Sequence, residues 1–341
     1  MITVGSINYF VDSHGLYARG GEKQKKFFIE YAQKLQESPQ GLVAHENERH
    51  VKRALAQNTF VDCYLLGSSH IMSFDKEALP QTFASCNRLV NLGVSGAGLE
   101  DIITFLYLSS SKPSTKQIFI AIDPWTLKLN MDKRYTLIHD TYQMAKENLR
   151  LQSYSPYTES QESGQFARWM HIINCEYFLR NLYKIYLHKF DFSFMENKII
   201  QVSEKDIDIT ATSFDKNGRF YYSQQYLAKM PPQKHEIGDG GYKISKPYIE
   251  EAAIQPVLDL IKRLKQDKKI TFIMTPYHPQ IWECHNEIAC QAMTKVEAYI
   301  KDWAKVEGIK VVGSYKQEHM RHEDFLDDMH VAPQALKKIE E

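Results

Sequence analysis

The chain has 341 residues, 43% of them hydrophobic, with 42 basic and 42 acidic side chains. That length suits one large domain or two small ones, and the apolar share is ordinary for a globular protein. A formal net charge of zero argues against the broad basic face that nucleic acid requires, and no run approaches the roughly 18 apolar residues of a membrane span.

In chain order, residues 1–60 read as a charged helical extension, with EKQKKFFIEYAQKLQ as its clearest piece. The opening MITVGSINYFVDSHGLY lacks the charged start and long apolar core of a signal peptide. Five short apolar runs follow, Val61–Leu66, Arg88–Leu92, Gln117–Ile122, Ile270–Met274 and Ile309–Val312. Their apolarity is continuous rather than alternating, as expected of strands covered on both faces. Between them, Ile254, Val257, Ile261 and Leu264, and then Ile288, Ala292, Val296, Tyr299 and Trp303, recur at helical spacing, and Gly308 marks a helix stop. Alternating strands and helices predict an α/β fold with a parallel sheet, right-handed crossovers and helices on both faces.

Residues 130–245 interrupt this order between the third and fourth core strands. The segment is rich in Tyr and Phe, contains the amphipathic run FARWMHIINCEYFLRNLYKIY, and has two loop-like pieces, FDKNGRFYY and KHEIGDGGYK. An insertion of this length predicts a cap or subdomain. The aromatics of 166–186 fall at helical spacing, which points to core packing rather than a binding surface. The expected organisation is thus an extension over 1–60, a core over 61–129 and 246–341, and an insertion over 130–245.

Five cysteines, Cys63, Cys86, Cys175, Cys284 and Cys290, are scattered and odd in number. They do not read as a disulfide framework, no pair has zinc-site spacing, and Cys63 reads as a buried thiol. This usage is compatible with a reducing compartment.

Chemistry-bearing residues cluster at predicted strand ends. LLGSSHI puts Ser68 and Ser69 after a glycine turn, where a hydroxyl is either presented as a nucleophile or caps a helix. NLGVSGAGLED places Gly93, Gly96 and Gly98 where the backbone can approach a ligand, with neither GxGxxG nor P-loop spacing. DFLDDMHVAP holds Asp327 three residues before His330, a spacing that lets the carboxylate fix the imidazole tautomer, although an acidic loop with a surface His reads equally well. TPYHP places Tyr277 and His278 either at a pocket mouth or in a turn fixed by two prolines, and Trp125 either stacks on a sugar ring or packs. His319, His322, Glu323, Asp324 and Asp327 lack HExxH spacing and read as a polar surface helix, so neither a metal nor a cofactor is expected.

Taken together, Gly67-Ser68-Ser69, Gly93 in NLGVSG and Asp327-Asp328-Met329-His330 resemble the motif blocks of the SGNH/GDSL hydrolase superfamily. The resemblance covers roughly residues 60–125 and 270–335. It implies a three-layer α/β/α, flavodoxin-like sheet. It also implies a triad of Ser69, Asp327 and His330 and an oxyanion hole of the Ser69 and Gly93 N–H groups; Trp125, Tyr277 and His278, which follow predicted strands, are the candidate substrate-binding residues. The implied activity is an O-acyl esterase or acyltransferase, acting on an O-acetyl group of a glycan or similar ester. A non-catalytic binding or assembly protein of the same fold is the alternative.

Two departures stand out. Ser68 replaces the usual Asp of the first block, as in a branch that includes cell-envelope acyl-transfer proteins of the D-alanine transfer and alginate acetylation types. Asp123 stands where the third block usually has an oxyanion-hole Asn. An ionised carboxylate facing an oxyanion would raise the barrier, so Asp123 is expected to turn away and tie down loop N–H groups. INYFVDSHGLY is similar to the segment after a membrane anchor in such envelope proteins. A cytoplasmic location is expected of the sequence as it stands, and that similarity supplies the alternative, a cell-envelope protein whose upstream anchor is missing. The sequence does not set an oligomeric state.

Overall fold

The computed structural model describes residues 2–11, 21–37, 42–44, 48–151, 175–187, 200–201, 212–220, 246–283, 287–327 and 329–340. KHEIGDGGYK, residues 166–174, Cys284, Asp328 and much of the insertion lie outside them. The strands in chain order are β1 (Leu42–Ala44), β2 (Cys63–Leu66), β3 (Leu89–Asn91), β4 (Gln117–Ala121), β5 (Ile200–Gln201), β6 (Thr212–Phe214), β7 (Lys269–Met274) and β8 (Lys310–Gly313). The core sheet has the order β3-β2-β4-β7-β8 and is parallel throughout. Counting only its own strands, this is the doubly wound order 2-1-3-4-5, whose switch point lies between β2 and β4.

Alternate residues of these strands feed two separate cores. Tyr64, Leu66, Ile118, Ile120, Phe272 and Met274 face one side, and Cys63, Leu65, Phe119, Ala121 and Ile273 the other. All the long core helices, Glu48–Asn58, Leu99–Ser110, Glu251–Leu264 and Glu287–Glu307, bury their apolar stripes on the first side. The second side is covered by residues 71–86, by Met320, Phe325 and Val331, and by the 3-10 turn Pro333–Glu340.

Right-handed crossovers account for this asymmetry. The connections β3 to β4, β4 to β7 and β7 to β8 all step in one direction across the sheet, so they fall on one face. Only β2 to β3 steps the other way. The expectation of helices on both faces is therefore met on one, and the opposite layer is built of 3-10 and irregular segments. The long helix after β7 ends at Gly308 (φ 66°), whose left-handed backbone a side chain would strain.

The extension is not wholly helical. Its strand β1 pairs antiparallel with β5 and β6 of the insertion, and Asn181 in the helix Cys175–Leu187 donates to Asn8 in the helix Ile2–Val11 (3.0 Å). The sequence expectation of core packing for the 166–186 aromatics fails in part. Tyr183 and Tyr186 are exposed, and of the side chains described in this helix Asn181 and Ile185 are the buried ones.

The FDKNGRF turn straps the free edge of the core sheet. Asn91 N–H donates to the Asn217 carbonyl (2.8 Å), and Phe220 N–H to that of Met72 (2.7 Å). Gly218 lies so close that a Cβ would stand 2.4 Å from the Asn91 carbonyl oxygen, at a φ of 79°. Below it the buried Lys52 ammonium donates to the Asn91 and Gly218 carbonyls. The strap thus closes an edge that would otherwise expose unpaired peptide groups.

Cys63 and Cys86 form a disulfide, which corrects the reading of Cys63 as a free buried thiol. Cys86 lies three residues before β3, and parallel pairing of β3 with β2 brings it beside Cys63. The expected intact mass under non-reducing conditions is that of a chain short of two hydrogens, with Cys63 and Cys86 unreactive to thiol reagents until reduction. Closing a loop of this length stabilises a fold by about 3 kcal/mol, so Cys63→Ser with Cys86→Ser should lower the unfolding free energy by a comparable amount.

Candidate active site

Ser69 follows β2 across a turn that only glycine fits. A Cβ on Gly67 would lie 2.6 Å from the Ala121 Cβ on the neighbouring strand. The chain then enters the 3-10 turn Ser69–Ile71, with Ser68 Oγ accepting the His70 N–H (3.3 Å). The two serines therefore divide the roles left open by the sequence. Ser68 is buried and caps the turn, whereas Ser69 is partly exposed and its Oγ lies 2.8 Å from His330 Nε2.

His330 is delivered by a pinched loop. Phe325 and Val331 bridge antiparallel, Leu326 N–H donates to the His330 carbonyl (2.7 Å), and Asp327 Oδ1 accepts the N–H groups of Met329 and His330 (2.8 and 2.7 Å). The same carboxylate meets His330 Nδ1 through Oδ2 at 2.7 Å. Burial opposes ionisation of Asp327, but the His330 contact and the two N–H donors outweigh it and bring its pKa down to about 2. Asp327 is thus ionised above about pH 2, and its carboxylate favours the tautomer that carries the proton on Nδ1 and leaves Nε2 to accept the Ser69 hydroxyl.

Asn91 organises this corner, and the sequence reading passed over it. Its Nδ2 donates to the carbonyls of Ile71 (2.6 Å) and Phe74 (2.9 Å), fixing the turn after Ser69, while its Oδ1 accepts the Gly93 N–H (2.8 Å). The Gly93 N–H is therefore committed and is not the free oxyanion donor expected from the sequence. The Ser69 N–H has no partner among the described residues. Asn91→Ala strands these buried groups together, and the unfolding free energy is expected to drop by about 3 kcal/mol in a denaturant titration.

Behind Ser69 and His330 lies a buried polar cluster. Asp123 follows β4, directly across the switch point. Its carboxylate does turn inward, but its partners are side chains rather than loop N–H groups: the Ser68 hydroxyl faces it, and Tyr277 Oη and His70 Nδ1 each lie 3.5 Å away. The loop is instead tied by Thr126, whose Oγ1 accepts the Asp123 N–H (2.7 Å). Burial pushes the Asp123 pKa up to about 6, against the opposing effects of Ser68, the His330 charge and Tyr277.

Trp125, Tyr277 and His278 do not offer open faces to a sugar. Trp125 is 2% exposed, its indole N–H is donated to the Ala97 carbonyl (3.1 Å), and its ring edge packs on His70. Tyr277 also packs on His70, and His278 is buried against His322 and Phe325. Of the acidic and His-rich stretch from His319 to Asp327, Asp324 is engaged by Lys338 (2.7 Å) and by the Arg321 N–H (2.8 Å). No protein-family model matches the chain, and no curated protein is significantly similar to it.

Proposed function

We propose that the chain is a serine-dependent O-acyl esterase or acyltransferase of the SGNH type, acting on an O-acetyl ester carried by a glycan or similar hydroxyl-bearing substrate. The observation that carries this reading is the Ser69–His330–Asp327 hydrogen-bond relay at the switch point of a doubly wound parallel sheet.

In the reaction, Ser69 Oγ attacks the ester carbonyl while its proton passes to His330 Nε2. The tetrahedral adduct then expels the alcohol, which takes that proton, and leaves acyl-Ser69. Water attacking the acyl group gives hydrolysis, and a second hydroxyl gives transfer. The Ser69 N–H is the preformed donor to the oxyanion.

A non-catalytic binding or assembly role is the second reading. It is favoured by the Gly93 N–H, which is bonded to Asn91 Oδ1, and by the carboxylic acid at position 123. No helix among the described residues is long and apolar enough to cross a membrane. The Cys63–Cys86 disulfide supports the cell-envelope location over the cytoplasmic one, since such bonds persist in oxidising compartments.

An acetyl-ester hydrolysis screen, run with and without acceptor glycans on wild type and Ser69→Ala, tests the proposal. Turnover that depends on Ser69 supports it, and product carried on the acceptor identifies transfer. Ligand binding with no Ser69-dependent turnover supports the second reading.

A further inference from the structure

The buried cluster behind the triad contains a second carboxylate–imidazole pair. His70 is the residue after Ser69, and its ring is fully enclosed. Its Nδ1 lies 3.0 Å from Thr275 Oγ1 and 3.5 Å from Asp123 Oδ1, and its ring centroid is 5.1 Å from that of His330. His330 thus touches Asp327 directly, and it packs against the same His70 ring that Asp123 meets.

His70 does not cancel the Asp123 charge. Its Nε2 is buried with no hydrogen-bond partner among the described residues, so a second proton there would be unsolvated and unaccepted. Burial, followed by the His330 charge, accordingly holds its pKa well below the ordinary range. The other groups facing Asp123 are the Ser68 and Tyr277 hydroxyls, with Tyr315 nearby, and burial keeps the Tyr315 phenol protonated. Tyr315 donates its O–H to the Ile122 carbonyl (2.7 Å). The group that carries positive charge in the reaction and acts on the Asp123 carboxylate is His330.

The geometry points to Asp123 as a second counter-charge for the His330 imidazolium, both groups being packed on the neutral His70 ring. Asp123 is a positioning residue and does not touch the substrate. This inference rests on the proposed serine mechanism for its catalytic consequence, but its primary readout does not. An ionised carboxylate at this remove, separated by buried side chains rather than water, strengthens proton binding by roughly tenfold.

The test is the titration of the His330 ring by NMR in wild type, Asp123→Asn and Ser68→Ala, with the fold of each checked by circular dichroism. Asp123→Asn keeps the size of the side chain and removes the charge. His330 should then bind its proton about tenfold more weakly. Ser68→Ala keeps the charge but removes a hydroxyl that favours it, so it should shift His330 in the same direction by less, and it carries the test if Asp123→Asn does not fold. If the enzyme turns over acetyl esters, Asp123→Asn should lower the plateau of kcat/KM while moving its acidic limb to lower pH. A loss of folding stability alone would not move that limb. An unchanged His330 titration in the folded variants overturns the inference. Absence of turnover with a shifted titration instead overturns the proposed function and leaves the counter-charge standing.

Discussion

Replacing Ser69 by Ala is expected to lower acetyl-ester turnover by a factor on the order of 10^6, and His330→Ala should cost about as much. The two losses should not multiply in the double variant. Ser69 Oγ is a weak nucleophile until its proton has somewhere to go, and His330 Nε2 at 2.8 Å is the acceptor in place. Removing either partner therefore removes the same step. What remains is the contribution of binding and of the Ser69 N–H. Steady-state kinetics on the two single variants and the double variant check this. Additive losses in the free energy of activation would mean that the two residues act separately.

Asp327→Asn should reduce kcat by about 10^4-fold with the fold intact. The argument turns on which oxygen does what. Oδ1 holds the loop by accepting the N–H groups of Met329 and His330, and an Asn oxygen can keep both bonds. Oδ2 is the nearer of the two oxygens to His330 Nδ1 (2.7 against 2.9 Å for Oδ1), and there the Asn amide would present a donor instead. The ring then carries its proton on Nε2, pointing at Ser69, and cannot accept a second without becoming a cation beside a neutral amide. Since Asp327 is ionised down to about pH 2, the defect should be present throughout the working range. The same sign applies to stability: the depressed pKa means that ionised Asp327 favours the folded state above the ordinary carboxylate range, and this is lost as pH falls through about 2. A mild effect of Asp327→Asn alongside a severe effect of Asp328→Asn would place the carboxylate one residue later.

The core strands were legible because strands covered on both faces are apolar along most of their length, and the observed spans match the five runs to within two residues at either end. The spacing of Asp327 and His330 was legible for a local reason, since three residues suffice to close a loop on its own carboxylate. What was not legible depends on partners distant in the chain. Strands β1, β5 and β6 are two or three residues long, too short to show a period, and exist by pairing between the extension and the insertion. Cys63 and Cys86 are 23 residues apart, and only the β2–β3 register brings them together. Gly93 looks like a free backbone donor until Asn91, two residues earlier, folds back onto it. His70 stood in plain view after Ser69, but a histidine in an apolar turn carries no signal of the Asp123 carboxylate that it meets across the sheet.

Reaction with an active-serine phosphonate, followed by peptide mass spectrometry, tests the central claim most directly. The expected adduct is a single phosphonyl group on Ser69, lost in Ser69→Ala and strongly slowed in His330→Ala. An adduct on Ser68, labelling that persists in Ser69→Ala, or no labelling of the folded wild-type chain would contradict it.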